Sequence, residues 1–210
     1  MARSNSAQKI LDSAATLFAR HGYAGTIMDE LAELAKVNKA TIYYHFKDKD
    51  SLYETVLVKH LEQLFEAISQ AVSDEKSPLE KLKAYIKTFA YKKNSKKYFT
   101  SIMMREIAGG GDKMPDSAKA QMHKILMIMK GILLQGIKED IFVDADALTL
   151  HMMIIGSFSF YIASEPMRKA MTSSDADLQN AFRNSTIEDV SENIFLMVKN
   201  ALLKTTKEDL

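Results

Sequence analysis

The chain has no cysteine and no tryptophan, and only three prolines and eight glycines in 210 residues. Without cysteine, a disulfide framework and a thiolate metal site are both excluded, and the absence fits a reducing cytoplasm. With so few helix breakers, and with Leu, Met, Ala, Lys and Glu abundant, the composition predicts an all-α protein. Charge of one sign is not in excess: 28 basic residues face 27 acidic ones, for a net charge of +1. Whole-molecule charge therefore announces neither a nucleic acid nor an anionic surface as partner. The opening residues, MARSNSAQKI, lack the apolar stretch of a secretory signal. Metalloprotease, nucleophile-elbow, phosphate-loop and dinucleotide motifs are missing, and the five histidines (His21, His45, His60, His123, His151) are scattered. No catalytic residue, cofactor or metal is expected, and the chain does not read as an enzyme. One uncharged run, residues 147–164, approaches membrane-spanning length. Thr149, His151, Gly156, Ser157 and Ser159 interrupt it, so it reads as a helix buried in protein, with no membrane partner.

What is present is helical periodicity. Ile10, Ala14, Leu17 and Phe18 share one face of a first helix that starts near residues 4–6 and stops at Gly22. A second helix opens at Thr26, with Asp29 as a weak capping box, and buries Leu31, Leu34 and Ala35. After the turn Lys36-Val37-Asn38, a short third helix, about Lys39 to His45, points Ile42 and Phe46 inward. Longer helices follow over about 51–72, 78–91, 96–107, 115–138, 145–163 and 186–204. Ser77-Pro78 starts one of them, Asp144 caps another, and Glu165-Pro166 ends the helix before it. Thr172 to Asn184 reads as a loop with room for a short helix. The pattern amounts to about nine helices: a three-helix domain over residues 1–48, and a larger helical bundle over 49–210.

The segment Thr26 to Leu52, TIMDELAELAKVNKATIYYHFKDKDSL, carries the most specific signal. Two short helices joined by a tight turn form a helix-turn-helix when the second is shaped to enter a DNA major groove. Between Lys36 and Lys49 there are four lysines against one acid, Asp48, a local patch suited to phosphates. Lys39 and Thr41 stand at the start of the third helix, where base edges are read, and Ala40 is small enough to meet a thymine methyl or to act as a spacer. Thr26 can offer its hydroxyl to a phosphate or simply cap its helix. Tyr43 has two readings, ring packed inward or hydroxyl on a phosphate.

Ala14-x-x-Leu17-Phe18, His21-Gly22-Tyr23, Thr26, Leu31-Ala32-x-x-Ala35, Val37, Thr41 to Phe46 and Lys49-Asp50-x-Leu52 occur in order and at dense spacing. In these residues the first quarter of the chain resembles the DNA-binding domain of the TetR family of bacterial transcriptional repressors. The resemblance implies that Tyr44 and His45 face the DNA backbone and that Lys49 joins them as a phosphate contact. It also implies a helical C-terminal domain that binds a ligand and dimerises. Three positions depart from the family pattern. Lys36 stands where glycine is usual in the turn; a positive φ there would cost a lysine something, so either the turn differs slightly or Lys36 gains a phosphate contact. Ile27 replaces a frequent Ser or Thr, and Ala40 a common glycine.

One such module binds weakly, and a dimer placing two recognition helices on successive groove faces is the physical remedy. Two late helices are apolar nearly all round and need cover. Leu148, Met152, Ile155 and Ile162, with Ile194, Val198 and Leu202, are expected to pair with their symmetry mates across an isologous homodimer interface. Phe99, Met103, Met104, Met122, His123, Met127, Met153, Phe158 and Tyr161 are the expected lining of an adaptable apolar pocket. Arg105, Glu106, His123 and His151 are the polar groups near it. The implied protein is a bacterial, cytoplasmic, ligand-responsive repressor. It would bind a palindromic double-stranded operator and leave it when a largely hydrophobic small molecule binds. The alternative is a helix-turn-helix adapter or architectural protein with no small-molecule effector.

Overall fold

The structure is a computed structural model. It describes the backbone of residues 2–95, 97–172 and 186–204, and the side chains of 6–92, 94, 98–171 and 186–204. Among the described residues the regular structure is helical: α1 (Ala2–Gly25), α2 (Met28–Ala35), α3 (Lys39–His45), α4 (Lys49–Ser73), α5 (Pro78–Ser95), α6 (Lys97–Ala108), α7 (Asp116–Lys138), α8 (Ala147–Ala163), α9 (Glu165–Thr172) and α10 (Ile187–Leu202). The all-α fold class thus holds. A single antiparallel bridge, Phe142 with Leu203, is the other pairing described. The chain gathers into two compact bodies: residues 1–63 with 96–122, and residues 64–95 with 123–210.

In the first body, Ile10, Ala14, Leu17 and Phe18 of α1 are buried together with Leu31, Ala32 and Ala35 of α2, Ile42 of α3 and Leu52 and Leu57 of α4. Leu34, expected inside, faces solvent. The helical geometry of α1 breaks at Gly22, whose φ of 69° suits glycine, and one more turn carries the chain to Gly25. The second helix does not open at Thr26. It begins at Met28, and Ile27 occupies the cap position with no side-chain bond. The physical reason is that the Thr26 hydroxyl donates backward to the Gly22 carbonyl at 2.8 Å, closing the bend that ends α1. Asp48 caps α4 by accepting from the Ser51 amide at 2.7 Å.

In the second body, Tyr85, Ile86 and Phe89 of α5 are buried along with Ile154 and Phe158 of α8 and Phe195 of α10. The Tyr85 hydroxyl lies 2.7 Å from His151 Nδ1, which satisfies two buried polar groups at once. Lys83 and Lys87 both reach Glu192, tying α5 to α10 along their solvent edge. A Cβ on Gly136 would fall 2.0 Å from the Phe142 ring, so α7 admits only glycine where that ring crosses it. Asp146, rather than Asp144, caps α8, accepting from the Thr149 amide at 2.7 Å. Ahead of Glu165-Pro166, α8 ends at Ala163 as expected, but Pro166 opens a further short helix. It falls in the first turn of α9, where a missing N–H leaves no bond unmade. The expected loop over Thr172 to Asn184 lies, beyond Thr172 itself, outside the described residues. A reciprocal capping box, Thr186 with Asp189, starts α10.

Candidate nucleic-acid interface

The turn between α2 and α3 is built around Lys36, which sits in the left-handed region at φ 55° and ψ 46°. Its amide donates to Glu33 O at 3.1 Å, and the Val37 amide to Ala32 O at 3.0 Å, closing the end of α2. Lysine thus takes the conformation that glycine would take freely. Asn38 caps α3 twice over, its Oδ1 accepting from both the amide and the hydroxyl of Thr41 at 2.7 Å. Ile42 is fully buried and Phe46 nearly so, and these two anchor α3 to the body beneath it.

The opposite face of α3 is open. Lys39 and Ala40 are exposed, Thr41 and His45 are partly so, and Tyr43 and Tyr44 are 44% and 65% exposed. Lys39 reaches back to Asp29 of α2 at 2.9 Å. The hydrogen bond to Asp29 raises its pKa above the ordinary lysine value and keeps it charged. The His45 Nε2 lies 2.8 Å from the Ser6 hydroxyl, so this imidazole is braced against α1.

Two expected contact residues are placed differently from the rest. Thr26 is 3% exposed and its hydroxyl is engaged with Gly22. The Lys49 ammonium turns inward, donating to Thr26 O at 2.6 Å and to Ala24 O at 3.4 Å, and lies 4.6 Å from the centre of the Tyr23 ring. Loss of water around it pulls its pKa below the ordinary lysine value. Beside it, the Tyr23 hydroxyl donates to Asp50, and that bond pushes the phenol up to about 12. Lys49 therefore fastens the start of α4 to the α1–α2 bend. Asp29 went unread in the sequence as the partner of Lys39. Its place in the first turn of α2 gives no hint, because the pair forms between two helices.

The residues expected to line one ligand pocket are not brought to one place within either body. In the first, Phe99 stacks on His60 with ring centres 3.7 Å apart and Met103 is buried, while Met104 and Met122 are partly exposed. In the second, Phe158 is fully buried core, stacked near Phe89. His123 and Met127 line a groove of about 660 Å³ with Lys130, Leu134 and Leu148. Tyr161 lines a separate groove of about 400 Å³ beneath Arg168, and Met153 is 61% exposed. Helical spacing puts side chains on a face but does not say which face meets which neighbour. Of the polar groups expected there, His151 is engaged with Tyr85, Arg105 with backbone carbonyls of α1 and Glu106 with Tyr53.

The expected dimer residues also divide. Leu148 and Met152 are exposed on α8, and Ile155 and Ile194 are partly exposed. Ile162, Val198 and Leu202 are buried within the chain itself and drop out of that surface. The face that remains open on α8 and α10 includes Met153, Phe160, Leu196 and Met197, with Phe160 at 66% and Met197 at 72% exposure. No single helix among the described residues is long and apolar enough to cross a membrane.

Comparison with known proteins gives these surfaces a context. Residues 10–56 match the family described as bacterial regulatory proteins, tetR family, and residues 78–195 match the tetracyclin repressor-like C-terminal domain. The HTH-type transcriptional regulator RutR of Escherichia coli strain K12 is 30% identical over 192 residues, covering 90% of this chain and 89% of that protein. The biofilm operon icaADBC negative transcriptional regulator IcaR of Staphylococcus aureus strain Newman is 50% identical over 46 residues, 22% of this chain and 25% of IcaR. Among solved structures, the transcriptional regulator FadR of Bacillus subtilis in complex with stearoyl-CoA superimposes with a TM-score of 0.73 at 18% identity. That match covers 92% of this chain and 98% of FadR.

Proposed function

This chain belongs to the tetR family of bacterial regulatory proteins, and from that premise we infer that it is a ligand-responsive repressor that holds a palindromic operator as a homodimer. The observation that supports the reading best is the open face of α3. Lys39, Ala40, Thr41, Tyr43 and Tyr44 stand on a helix pinned from beneath by Ile42 and started by Asn38. Lys39 and Thr41 meet base edges; Lys36, Tyr44 and His45 meet phosphates, which fix orientation rather than sequence. Thr26 and Lys49 act mainly by shaping the bend that presents α3.

A second copy covers the apolar face of α8 and α10, and this pairing sets two recognition helices at a spacing that matches successive groove faces. The effector is a largely hydrophobic small molecule. It releases DNA by binding the DNA-incompetent arrangement more tightly, which is all that linkage requires. The protein works in the bacterial cytoplasm, where its operator lies.

Selection of bound duplexes from a random library with the purified protein tests this reading. A two-fold symmetric consensus should emerge, with affinity that falls steeply as salt rises. Lys36→Ala should weaken all sites alike and lower the salt slope by about 1 per half-site. Thr41→Ala should change which bases are preferred. Recovery of no enriched sequence, or equal binding by both variants, would refute the assignment of this surface.

A further inference from the structure

Arg105 and Glu106 stand at the end of α6, outside the matched helix-turn-helix segment, and both face the helices that carry it. Just before α1 breaks at Gly22 lie the carbonyls of its last regular turn. The Arg105 guanidinium takes two of them, Nε donating to Ala19 O at 3.2 Å and Nη2 to Arg20 O at 2.8 Å. Its Cδ passes 3.8 Å from where a Cβ on Gly22 would stand. One residue on, the buried Glu106 carboxylate accepts the Tyr53 hydroxyl from the second turn of α4. The Tyr53 ring in turn packs edge-on against Phe18 and Tyr23, at 4.7 Å and 5.2 Å between ring centres.

Adjacent side chains of α6 therefore hold the end of one helix and the start of another. Apolar packing alone would hold α6 here, but it is non-directional, whereas these hydrogen bonds lose strength steeply as their angles change. A carboxylate buried at this point carries a desolvation cost that simple adhesion does not need. We propose that Arg105 and Glu106 are positioning residues that set the angle at which α1 and α4 carry α3, and thereby the half-site spacing the dimer accepts. The proposal rests on the dimeric DNA-binding reading, because spacing follows from where two copies of α3 are held.

The test uses the full-length protein and operators whose two half-sites are separated by spacers of graded length. The wild type should favour one spacing. Arg105→Ala and Glu106→Ala should bind that spacing about tenfold more weakly, the order expected for one charged hydrogen bond. Neighbouring spacings should gain relative to it, and affinity for a lone half-site should stay unchanged. Glu106→Gln should restore the wild-type profile, because its amide oxygen still accepts from Tyr53. An unaltered spacing profile in both alanine variants overturns the proposal. So does an equal loss at the lone half-site, the mark of a merely destabilised reader.

A second measurement needs no DNA. Because the chain has no cysteine, Lys47→Cys with Lys119→Cys places two spin labels, one after α3 and one on α7. Labelled chains diluted into unlabelled protein should show a distance distribution that broadens in Arg105→Ala and not in Glu106→Gln. An unchanged width overturns the positioning role. Absence of DNA binding by the wild type overturns the functional reading instead, and the label distances still decide the role of Arg105.

Discussion

Lys36 holds a left-handed backbone conformation that costs an L-residue on the order of 1–2 kcal/mol relative to glycine. Such strain at an exposed turn is retained when the side chain does something there. Lys36→Gly should therefore stabilise the protein by about 1 kcal/mol and weaken DNA binding, with a shallower salt dependence. Urea unfolding with an unchanged m value, paired with affinity measurements at two salt concentrations, checks both halves. A variant that gains stability and keeps full affinity would leave the lysine without a role. The departure from the usual glycine was legible in the sequence, and so was its conformational cost. The inward turn of Lys49 was not, because a lysine at a helix start looks the same whether it meets a phosphate or a carbonyl from another segment.

Four helices start on side chains whose charge is coupled to folding. Asp48, Asp146 and Asp189, with Glu80, accept hydrogen bonds at the first turns of α4, α8, α10 and α5, and each carboxyl is held below its ordinary pKa by those bonds. The unfolded chain takes up protons near the ordinary values, 3.8 for the aspartates and 4.5 for the glutamate. It binds more protons than the folded chain in that range. The stabilisation is therefore complete above those values and is lost as pH falls through the lower folded ones. Asn caps a helix about as well as Asp but does not titrate. Asp48→Asn with Asp146→Asn should leave stability near neutral pH almost unchanged and flatten its decline below about pH 4. Denaturant titrations across the acid range measure this, and parallel declines in variant and wild type would contradict it. At this scale most of the protein was readable, since caps and periodicity are local. The exceptions, the start of α2, the cap of α8 and the helix beyond Pro166, were decided by a hydroxyl bonding backward, by which of two nearby aspartates reaches an amide, and by a proline placed where helices tolerate it.

At the scale of the whole molecule, the open apolar face of α8 and α10 is the main claim on assembly. Phe160→Glu and Met197→Glu, made singly, put a charge where two copies would meet. Both side chains are exposed in the single chain, so helical content should hold while sedimentation shifts to the monomer at micromolar concentration. Operator affinity should fall with it, because one module alone engages half the site. Unchanged sedimentation in both variants would place the dimer contact elsewhere.

The amino-acid order by itself determined the helical class, the helix-turn-helix with its cap and strained turn, and the family. All of these depend on residues within a few turns of one another. Tertiary packing alone decided that Ile162, Val198 and Leu202 are core and that Lys49 looks inward. It alone set Arg105 and Glu106 against α1 and α4 rather than around a ligand. A helix surface has more than one apolar side, and a long polar side chain can reach partners dozens of residues away. Only the three-dimensional arrangement chooses among those sides and partners.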